Sequence, residues 1–241
     1  MKTTDNPKAA EALLRLADAH RKHETPREPG VHVSDLIYCR VKSWYRINLP
    51  EGTDEELSVE QLSLFLMGAG HHSVFQQCIP EKPGVLDLGI GVDVHGTPDL
   101  DLPDDPQLPG EIKTTRASAG KPPADWYYEQ LAAYCLMRGI NRGRLYPYFV
   151  NGVYRPKMNP ILRAIDVEFT PDEMLEWEKE LAYRVGQVMG PVAPDPKDPE
   201  THYTWECGYC PLNMSNGGPC AGGPGHKVGF FVDDTVPDWI K

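Results

Sequence analysis

A block of short extended runs between residues 85 and 115, enclosed by helical patterns, limits this chain to mixed α/β architectures. The runs VLDLGIGVDV, GTPDLDL and GEIKTT are separated by glycine and proline, a pattern that predicts a three-stranded meander. Two further strands are expected at 145–151 and 161–169, and Pro147 favours an edge position or a bulge in the first. We therefore expect an α/β fold with a mixed central sheet flanked by helices.

Three helices are expected before this block. Residues 8–22 form an amphipathic pattern. Ser34 can cap the run DLIYCRVKSWYRI, which places Cys39 on a short helix. Ser58 and Gln61 form a capping box ahead of LSLFLMGAGHHSVFQQ, which predicts a longer helix there.

Two more helices are expected after the first extended runs. Asp125 can cap WYYEQLAAYCLMR, and Gly139 can end that helix in a left-handed conformation. Thr170 followed by Pro171 predicts the start of a long helix that ends at Gly190. The expected order is helices, strands, helix, strands, helix and a Pro-rich linker into a cysteine-bearing tail.

Charge and hydropathy exclude two broad classes of protein. The formal net charge is -11, which argues against a protein that coats nucleic acid by bulk electrostatics. No run approaches the roughly 20 apolar residues of a membrane-spanning helix, and the N-terminus lacks the apolar core of a secretory signal. We therefore expect a cytoplasmic protein with no membrane partner.

A local basic groove stays open as an alternative to bulk electrostatics. Between residues 138 and 163 there are six cations and no acidic residue, interleaved with aromatic side chains, which suits single-stranded nucleic acid. The other interpretation is tyrosines packed in strands and a solvated arginine face. The cations are Arg138, Arg142, Arg144, Arg155, Lys157 and Arg163, and the aromatic residues are Tyr146, Tyr148, Phe149 and Tyr154.

Two carboxylates and a lysine in the extended block are the most informative polar residues. Glu111 and Lys113 are two positions apart on one expected strand, so their side chains share a face. Asp99 lies on the preceding hairpin partner and can reach that face. Carboxylate oxygens bind Mg²⁺ or Mn²⁺, and a nearby lysine can orient or deprotonate the water that attacks a phosphodiester. Asp101, two residues from Asp99, is an alternative ligand, and a solvated hairpin face is the simpler interpretation of any one of these residues.

The order and spacing of these residues resemble the PD-(D/E)xK nucleases. In the RecB-like branch of that family a helical histidine precedes the core and a Gln-x-x-x-Tyr helix follows it. The segments GAGHH at 68–72 and QLAAY at 130–134 match both features. The resemblance implies a restriction-endonuclease-like core and the activity of a divalent-metal-dependent DNA exonuclease on single-stranded ends.

The resemblance also implies a role for each residue. The metal ligands would be His72, Asp99, Glu111 and the backbone carbonyl of Ile112. Lys113 would orient the nucleophilic water, with Gln130 and Tyr134 in support. His71 is the corresponding alternative to His72.

The cysteines are unevenly placed, which favours metal ligation over disulfide bonds in a chain without an export signal. Cys207, Cys210 and Cys220 lie in a loop rich in glycine and proline. Cys39 resembles the lone N-terminal cysteine of RecB-like nucleases with an iron–sulfur cluster, which include the CRISPR-associated exonucleases. The resemblance implies a [4Fe-4S] cluster on these four thiolates, and a zinc site is the alternative. The other two cysteines are expected to be small buried thiols: Cys78 and Cys135.

These segments predict an N-terminal helix (1–30), a helical region with the cluster cysteine and the metal-site histidine (31–84), a nuclease core (85–190) and an iron–sulfur tail (191–241). The N- and C-terminal parts would form a cysteine-rich subdomain. The resemblance implies a role in CRISPR adaptation or in phage or cellular recombination and repair, with DNA and proteins of these processes as partners. The rival interpretations are a non-catalytic DNA-binding or scaffold protein and a zinc-stabilised interaction module.

Overall fold

The computed structural model describes residues 7–24, 29–49, 58–79, 82–102, 105, 107–153, 159–201, 203–207, 210, 212–213 and 220. Its helices are α1 (Pro7–Glu24), α2 (Val33–Ile37), α3 (Arg40–Asn48), α4 (Val59–Cys78), α5 (Asp125–Arg138), α6 (Pro171–Met189) and α7 (Thr204–Cys207). Its strands are β1 (Val31–His32), β2 (Gly84–Asp87), β3 (Asp93–Gly96), β4 (Leu100–Asp101), β5 (Pro109–Thr115), β6 (Arg142–Phe149), β7 (Ile161–Leu162) and β8 (Ile165–Glu168). None of the helices in these ranges combines the length and the apolar character needed to cross a membrane.

The strands form two sheets, so the predicted three-stranded meander is wrong. In the first sheet β3 lies between β1, which is parallel to it, and β2, which is antiparallel. In the second sheet β5 pairs with β4 antiparallel and with β6 parallel, and β7 and β8 pair with the other side of β6. The chain changes sheet at Thr97-Pro98-Asp99, where proline lacks the N–H that a continued ladder would use. The expected α/β class with mixed sheets flanked by helices is confirmed, and it is consistent with a restriction-endonuclease-like core.

β6 is an interior strand, so the edge position expected from Pro147 is wrong. Pro147 lies opposite Lys113 in the parallel register with β5. On the other side its carbonyl accepts a hydrogen bond from Arg163 N at 3.1 Å, and Arg163 lies between β7 and β8, where the pairing is interrupted. The N–H that proline lacks would point toward this same interruption, which explains why the sheet accommodates the residue.

Local capping signals set the ends of the long helices as expected. Ser58 and Gln61 form the capping box of α4, with both side chains bonded to backbone N–H groups. Thr170 and Glu173 form the same arrangement at the start of α6. Gly139 ends α5 with a φ of 65°, a left-handed conformation that favours glycine.

Two helix starts differ from the sequence expectation. Ala124 is the N-cap of α5, and Asp125 lies in its first turn, where its charge faces the positive end of the helix dipole. The helix expected to run from Ser34 through Cys39 is broken into α2 and α3. Cys39 is therefore the N-cap of α3, and its backbone N–H donates to Glu206 Oε1 of the tail at 3.2 Å.

The core lies on both faces of α5. Tyr134 packs with residues of α2, β2, β3 and α6, whereas Leu131 and Cys135 pack with Leu145 and the residues around β8. The opposite face of β5 is covered by α4, where Phe75 packs against the cluster that contains Ile112. Cys135 is a buried thiol, as expected, and the side chain of Cys78 lies outside the described residues.

Candidate active site

β5 carries three of the predicted site residues through the middle of the molecule. Glu111 is fully buried, and the side chain of Lys113 is 14% exposed. Because these two residues are separated by one position, both side chains lie on the face of β5 that α5 covers. Ile112, between them, faces the cluster beneath α4.

Asp99 links the loop between the two sheets to β5 and α4. Its Oδ2 accepts a hydrogen bond from the backbone N–H of Ile112 at 2.8 Å. Its Oδ1 lies 3.4 Å from Nδ1 of His72, on α4. Burial disfavours the charged imidazole, but the hydrogen bond to Asp99 and the Asp99 charge outweigh it and raise the pKa of His72.

Glu111 and Lys113 form a buried ion pair. Burial, followed by the charge of Asp99, raises the pKa of Glu111 to about 8. Burial alone would lower the pKa of Lys113, but Glu111 and Asp99 hold it well above its ordinary value. Lys113 Nζ contacts Glu111 Oε1, whereas the buried Oε2 has no hydrogen-bond partner in the described part of the chain. Glu111 Oε2 therefore has acceptor capacity that these residues leave unused.

α5 holds Lys113 in place from the other side. Lys113 Nζ donates to Gln130 Oε1 at 2.9 Å, and Gln130 Nε2 donates to the hydroxyl of Tyr134 at 2.9 Å. Burial raises the pKa of Tyr134 well above its ordinary value, so the hydroxyl keeps its proton. The spacing of four residues on α5 thus becomes a hydrogen-bonded chain that ends on the lysine ammonium.

The structure brings together every residue of the predicted catalytic set. His72, Asp99 and Ile112 form one connected group, and Glu111, Lys113, Gln130 and Tyr134 form an adjacent one. The two groups meet at Asp99 and β5, because Asp99 is bonded to the residue between Glu111 and Lys113.

Geometry separates the two ambiguous pairs of the sequence analysis. Asp101 is committed to an ion pair with Arg138 at 2.8 Å, so Asp99 is the carboxylate that reaches β5. His71 packs edge-on against the ring of Tyr148, with centroids 4.8 Å apart, so His72 is the histidine that reaches Asp99.

Two tyrosines near Lys113 were missed by the sequence analysis. Lys113 Nζ lies 6.0 Å from the ring centroid of Tyr127, which precedes Gln130 by three residues on the same helix face. Tyr38 is half-buried, and burial raises the pKa of its hydroxyl, with the nearby charge of Lys113 lowering it and that of Glu111 raising it. The helical spacing of Tyr127 and Gln130 was a usable signal, whereas nothing local to Tyr38 predicts its place beside β5.

Three of the four described cations of the basic stretch have aspartate partners from elsewhere in the chain. Each of its first three arginines has a carboxylate partner: Arg138 with Asp101 at 2.8 Å, Arg142 with Asp105 at 2.7 Å and Arg144 with Asp166 at 2.5 Å. Phe149 is a core residue at 1% exposure and cannot stack on a base. Arg163 is exposed, and Tyr154, Arg155 and Lys157 lie outside the described residues.

The four cysteines of the predicted cluster lie in one region. The Cys39 backbone is bonded to Glu206, next to Cys207, and burial raises the pKa of the Cys39 thiol to about 12, with smaller contributions from Glu206, Cys210 and Cys207. Cys220 N donates to Leu212 O at 2.6 Å, within the same tail turn as Cys210. None of these four cysteines forms a disulfide. The tail thus returns to the cysteine at the start of α3.

The side chains at the two candidate metal sites have suitable donor atoms, but their positions, among the residues that the structure describes, do not form a closed metal site. Across the described ranges, no group of three or more His, Cys, Asp or Glu side chains is arranged to hold a metal ion. Asp99 and Glu111 are nevertheless neighbouring hard-oxygen donors, and Glu111 Oε2, which has no partner among the described residues, is the kind of atom that a hard cation binds. The four thiols are the soft donors that suit iron–sulfur clusters and zinc.

Comparison with known proteins gives structural likeness only. No family model matches the chain, and no curated protein shows significant similarity to it. A solved structure described as that of SSO0001 is similar with a TM-score of 0.52 and 18% identity over 84% of this chain and 93% of the other, which shows a shared fold. Two structures of an exonuclease, LHK-Exo, are also similar. One is described as an alkaline exonuclease from Laribacter hongkongensis and the other as LHK-Exo in complex with dAMP. Each has a TM-score of 0.40 and 14% identity over 67% of this chain and 88% of the other.

Proposed function

We propose that this chain is a divalent-metal-dependent deoxyribonuclease of the RecB-like PD-(D/E)xK type, an exonuclease that acts on single-stranded DNA ends. The observation that carries the proposal is the buried Glu111 carboxylate: its Oε1 contacts Lys113, its Oε2 has no partner among the described residues, and the charge of Asp99 lies nearby. A purely structural ion pair would be expected to satisfy its own acceptors, because unsatisfied buried oxygens are costly.

In this proposal His72, Asp99, Glu111 and the carbonyl of Ile112 hold Mg²⁺ or Mn²⁺. The bound cation supplies Lewis acidity and neutralises charge that builds on the phosphate. The remaining work belongs to the chain itself. Lys113 presents an ammonium to the attacking water and the phosphate oxygens, and Gln130 fixes the position of that ammonium through its amide oxygen.

The hydrogen-bond chain on α5 supports this division of roles. Gln130 donates a hydrogen bond from its NH₂ group to the hydroxyl of Tyr134, and its carbonyl oxygen accepts a hydrogen bond from Lys113 Nζ. A glutamine held at both ends cannot rotate its amide without losing a bond. Lys113 is therefore oriented before any substrate arrives, which lowers the cost of reaching the productive geometry.

We also propose that Cys39, Cys207, Cys210 and Cys220 hold a [4Fe-4S] cluster, with zinc as the alternative occupant. The support is that the tail turn carrying Cys207 is bonded to the backbone of Cys39, across 167 residues of sequence. Closing so long a loop would remove unfolded-state entropy. Metal and sulfide analysis of the purified protein distinguishes the two occupants. A [4Fe-4S] cluster gives four iron atoms and four acid-labile sulfides per chain, whereas the zinc site gives one zinc atom per chain.

The biological setting follows from the resemblance alone. We propose DNA as the partner, in CRISPR adaptation or in phage or cellular recombination and repair. Arg142 and Arg144 of β6 are paired with aspartates, as is Arg138. Arg163 is exposed, and none of these ion pairs includes it. Its replacement by alanine is expected to weaken DNA binding in a salt-dependent way.

A second candidate function is a non-catalytic DNA-binding or scaffold protein. One observation favours it: in the part of the chain that the structure describes, the carboxylates and His72 do not close into a three-donor metal group. In that case Lys113 would serve only as the counter-charge of Glu111. The two candidates differ in whether the protein cuts DNA at all.

Cleavage of end-labelled oligonucleotides separates these candidates. Single-stranded and double-stranded DNA are incubated with the purified protein in Mn²⁺, in Mg²⁺ and in excess chelator. Metal-dependent release of short products supports the nuclease, and its loss in Asp99→Asn, with Asp101→Asn as the matched control, assigns the activity to this site. Intact DNA in all three conditions supports the scaffold protein.

A further inference from the structure

The tail around Pro199–Cys207 is bonded to the cysteine-bearing start of α3. Arg40 Nη2 donates to the backbone carbonyl of Glu200. Glu206 accepts the Cys39 N–H through one carboxylate oxygen and the Tyr203 N–H through the other, at 3.2 and 3.3 Å. These contacts fix the tail residues that follow the Pro-rich linker.

The same tail segment also reaches α5. The hydroxyl of Tyr203 donates to Glu129 Oε1 at 3.0 Å, and the Tyr203 ring packs on Trp126 with centroids 4.7 Å apart. Glu129 directly precedes Gln130, the residue that accepts the hydrogen bond from Lys113. One tail side chain therefore contacts the helix turn that holds the site lysine.

Glu129 is held through both carboxylate oxygens. Tyr203 bonds Oε1, and Arg184 Nη1 donates to Oε2 at 2.7 Å. These groups border a cavity of about 330 Å³. Arg184 Nε also donates to Glu180 Oε1 at 2.6 Å, so Glu129, Arg184 and Glu180 form one charged cluster at its wall.

We propose that Tyr203 is a positioning residue that holds the Gln130-bearing turn of α5 through Glu129. This inference rests on the proposed function, because Gln130 orients Lys113 for the reaction proposed above. Arg184 provides the positive charge that pairs with Glu129, and Tyr203 provides the hydrogen bond to Glu129 from the tail. Docking of the cysteine-bearing tail and placement of the site lysine are thereby linked through one hydroxyl group.

The state of the hydroxyl supports this role. Burial and the neighbouring Glu129 carboxylate raise the pKa of Tyr203 above its ordinary value, so the phenol keeps the proton that it donates. The contact also spans 74 residues of sequence, from the tail to α5. A bond of this reach constrains the position of α5 in a way that local helix contacts do not.

Tyr203→Phe in the full chain tests the proposal, because it removes the hydroxyl and keeps the ring on Trp126. The matched control is Tyr183→Phe on α6, which removes a hydroxyl that accepts from Gln187 Nε2 at 3.0 Å and is far more exposed. We expect amide hydrogen exchange in residues 125–134 to become about fivefold faster in Tyr203→Phe. We also expect kcat for DNA cleavage to fall about tenfold, with KM within about twofold of wild type.

The two readouts separate failure of this inference from failure of the proposed function. Unchanged exchange across 125–134 overturns the inference whatever the activity, and so does faster exchange with an unchanged kcat. The same changes in Tyr183→Phe would also overturn it, because they would show a general loss of stability. If the wild-type protein cuts no DNA, the proposed function fails, whereas exchange across 125–134 still decides whether Tyr203 holds the α5 turn.

Discussion

Asp99 accepts a hydrogen bond from the backbone N–H of Ile112 at 2.8 Å, and this bond ties the crossing between the two sheets to the strand that carries Glu111 and Lys113. The carboxylate thereby has a fixed place beside the buried ion pair. It also keeps its second oxygen for His72, at 3.4 Å. Asp99 is thus at once a structural acceptor and the charged group that the proposed site requires.

The two roles of Asp99 can be separated by Asp99→Asn. The amide oxygen of asparagine can still accept the Ile112 hydrogen bond, but the negative charge is lost. We expect cleavage to fall by about 10²-fold or more, since charge at the reacting phosphate is a large part of such catalysis. The melting temperature should change by only a few degrees, about the effect of 1 kcal/mol.

Asp101→Asn is the control for this prediction. It removes the ion pair between Asp101, on β4, and Arg138, at the end of α5, and changes none of the proposed ligands. Cleavage rates of both variants, measured with the same labelled oligonucleotide, check the assignment. A larger loss in Asp101→Asn than in Asp99→Asn would show that the metal ligand was chosen wrongly.

Arg184 should contribute strongly to the stability of the fold. Its side chain is 10% exposed, and it joins Glu129, Glu180 and the carbonyl of Leu36. Arg184→Ala leaves Glu129, whose side chain is 15% exposed, without its cationic partner and with only the Tyr203 hydrogen bond, so we expect the unfolding free energy to fall by about 3 kcal/mol.

The comparison is Arg144→Ala, which breaks an ion pair whose aspartate side chain is 77% exposed. That change is expected to cost at most about 1 kcal/mol. Urea denaturation followed by circular dichroism measures both variants. Equal losses for the two arginines would mean that burial of the Arg184 cluster does not determine its contribution.

Cys135 should be chemically silent in the folded protein. It is fully buried on α5, and burial raises the pKa of its thiol to about 12. Because the thiolate is the reactive form, iodoacetamide should not label this residue at neutral pH until the protein unfolds. Mass spectrometry of the labelled peptides, with and without denaturant, measures this, and rapid native labelling of Cys135 would contradict the packing described for α5.

The sequence was most informative where a structural signal is local. The capping residues Ser58 and Thr170 and the terminal glycine Gly139 predict helix ends, because each acts on backbone groups within one turn. Periodicity also indicates which residues of the candidate site lie together, since strand and helix repeats decide which side chains share a face. Gln130 and Tyr134 are connected for that reason.

Long-range pairing was not predictable in the same way. The division of the strands into two sheets depends on β1 and β6, which lie far from the 85–115 block in sequence. The neutralisation of Arg142 and Arg144 depends on aspartates 37 and 22 residues away. The break at Cys39 is likewise accompanied by a contact with Glu206. Each of these features results from packing of distant segments, for which a single sequence holds no local signal.

The most direct test of the account is the effect of Lys113→Ala on DNA cleavage. The control is Lys179→Ala, an exposed lysine on α6. Rates are measured with end-labelled single-stranded DNA in Mn²⁺, and circular dichroism confirms that each variant is folded. We expect Lys113→Ala to lower the rate by at least about 10²-fold and Lys179→Ala to leave it unchanged. A folded Lys113→Ala protein that cuts DNA at the wild-type rate would contradict the proposed catalytic role of Lys113.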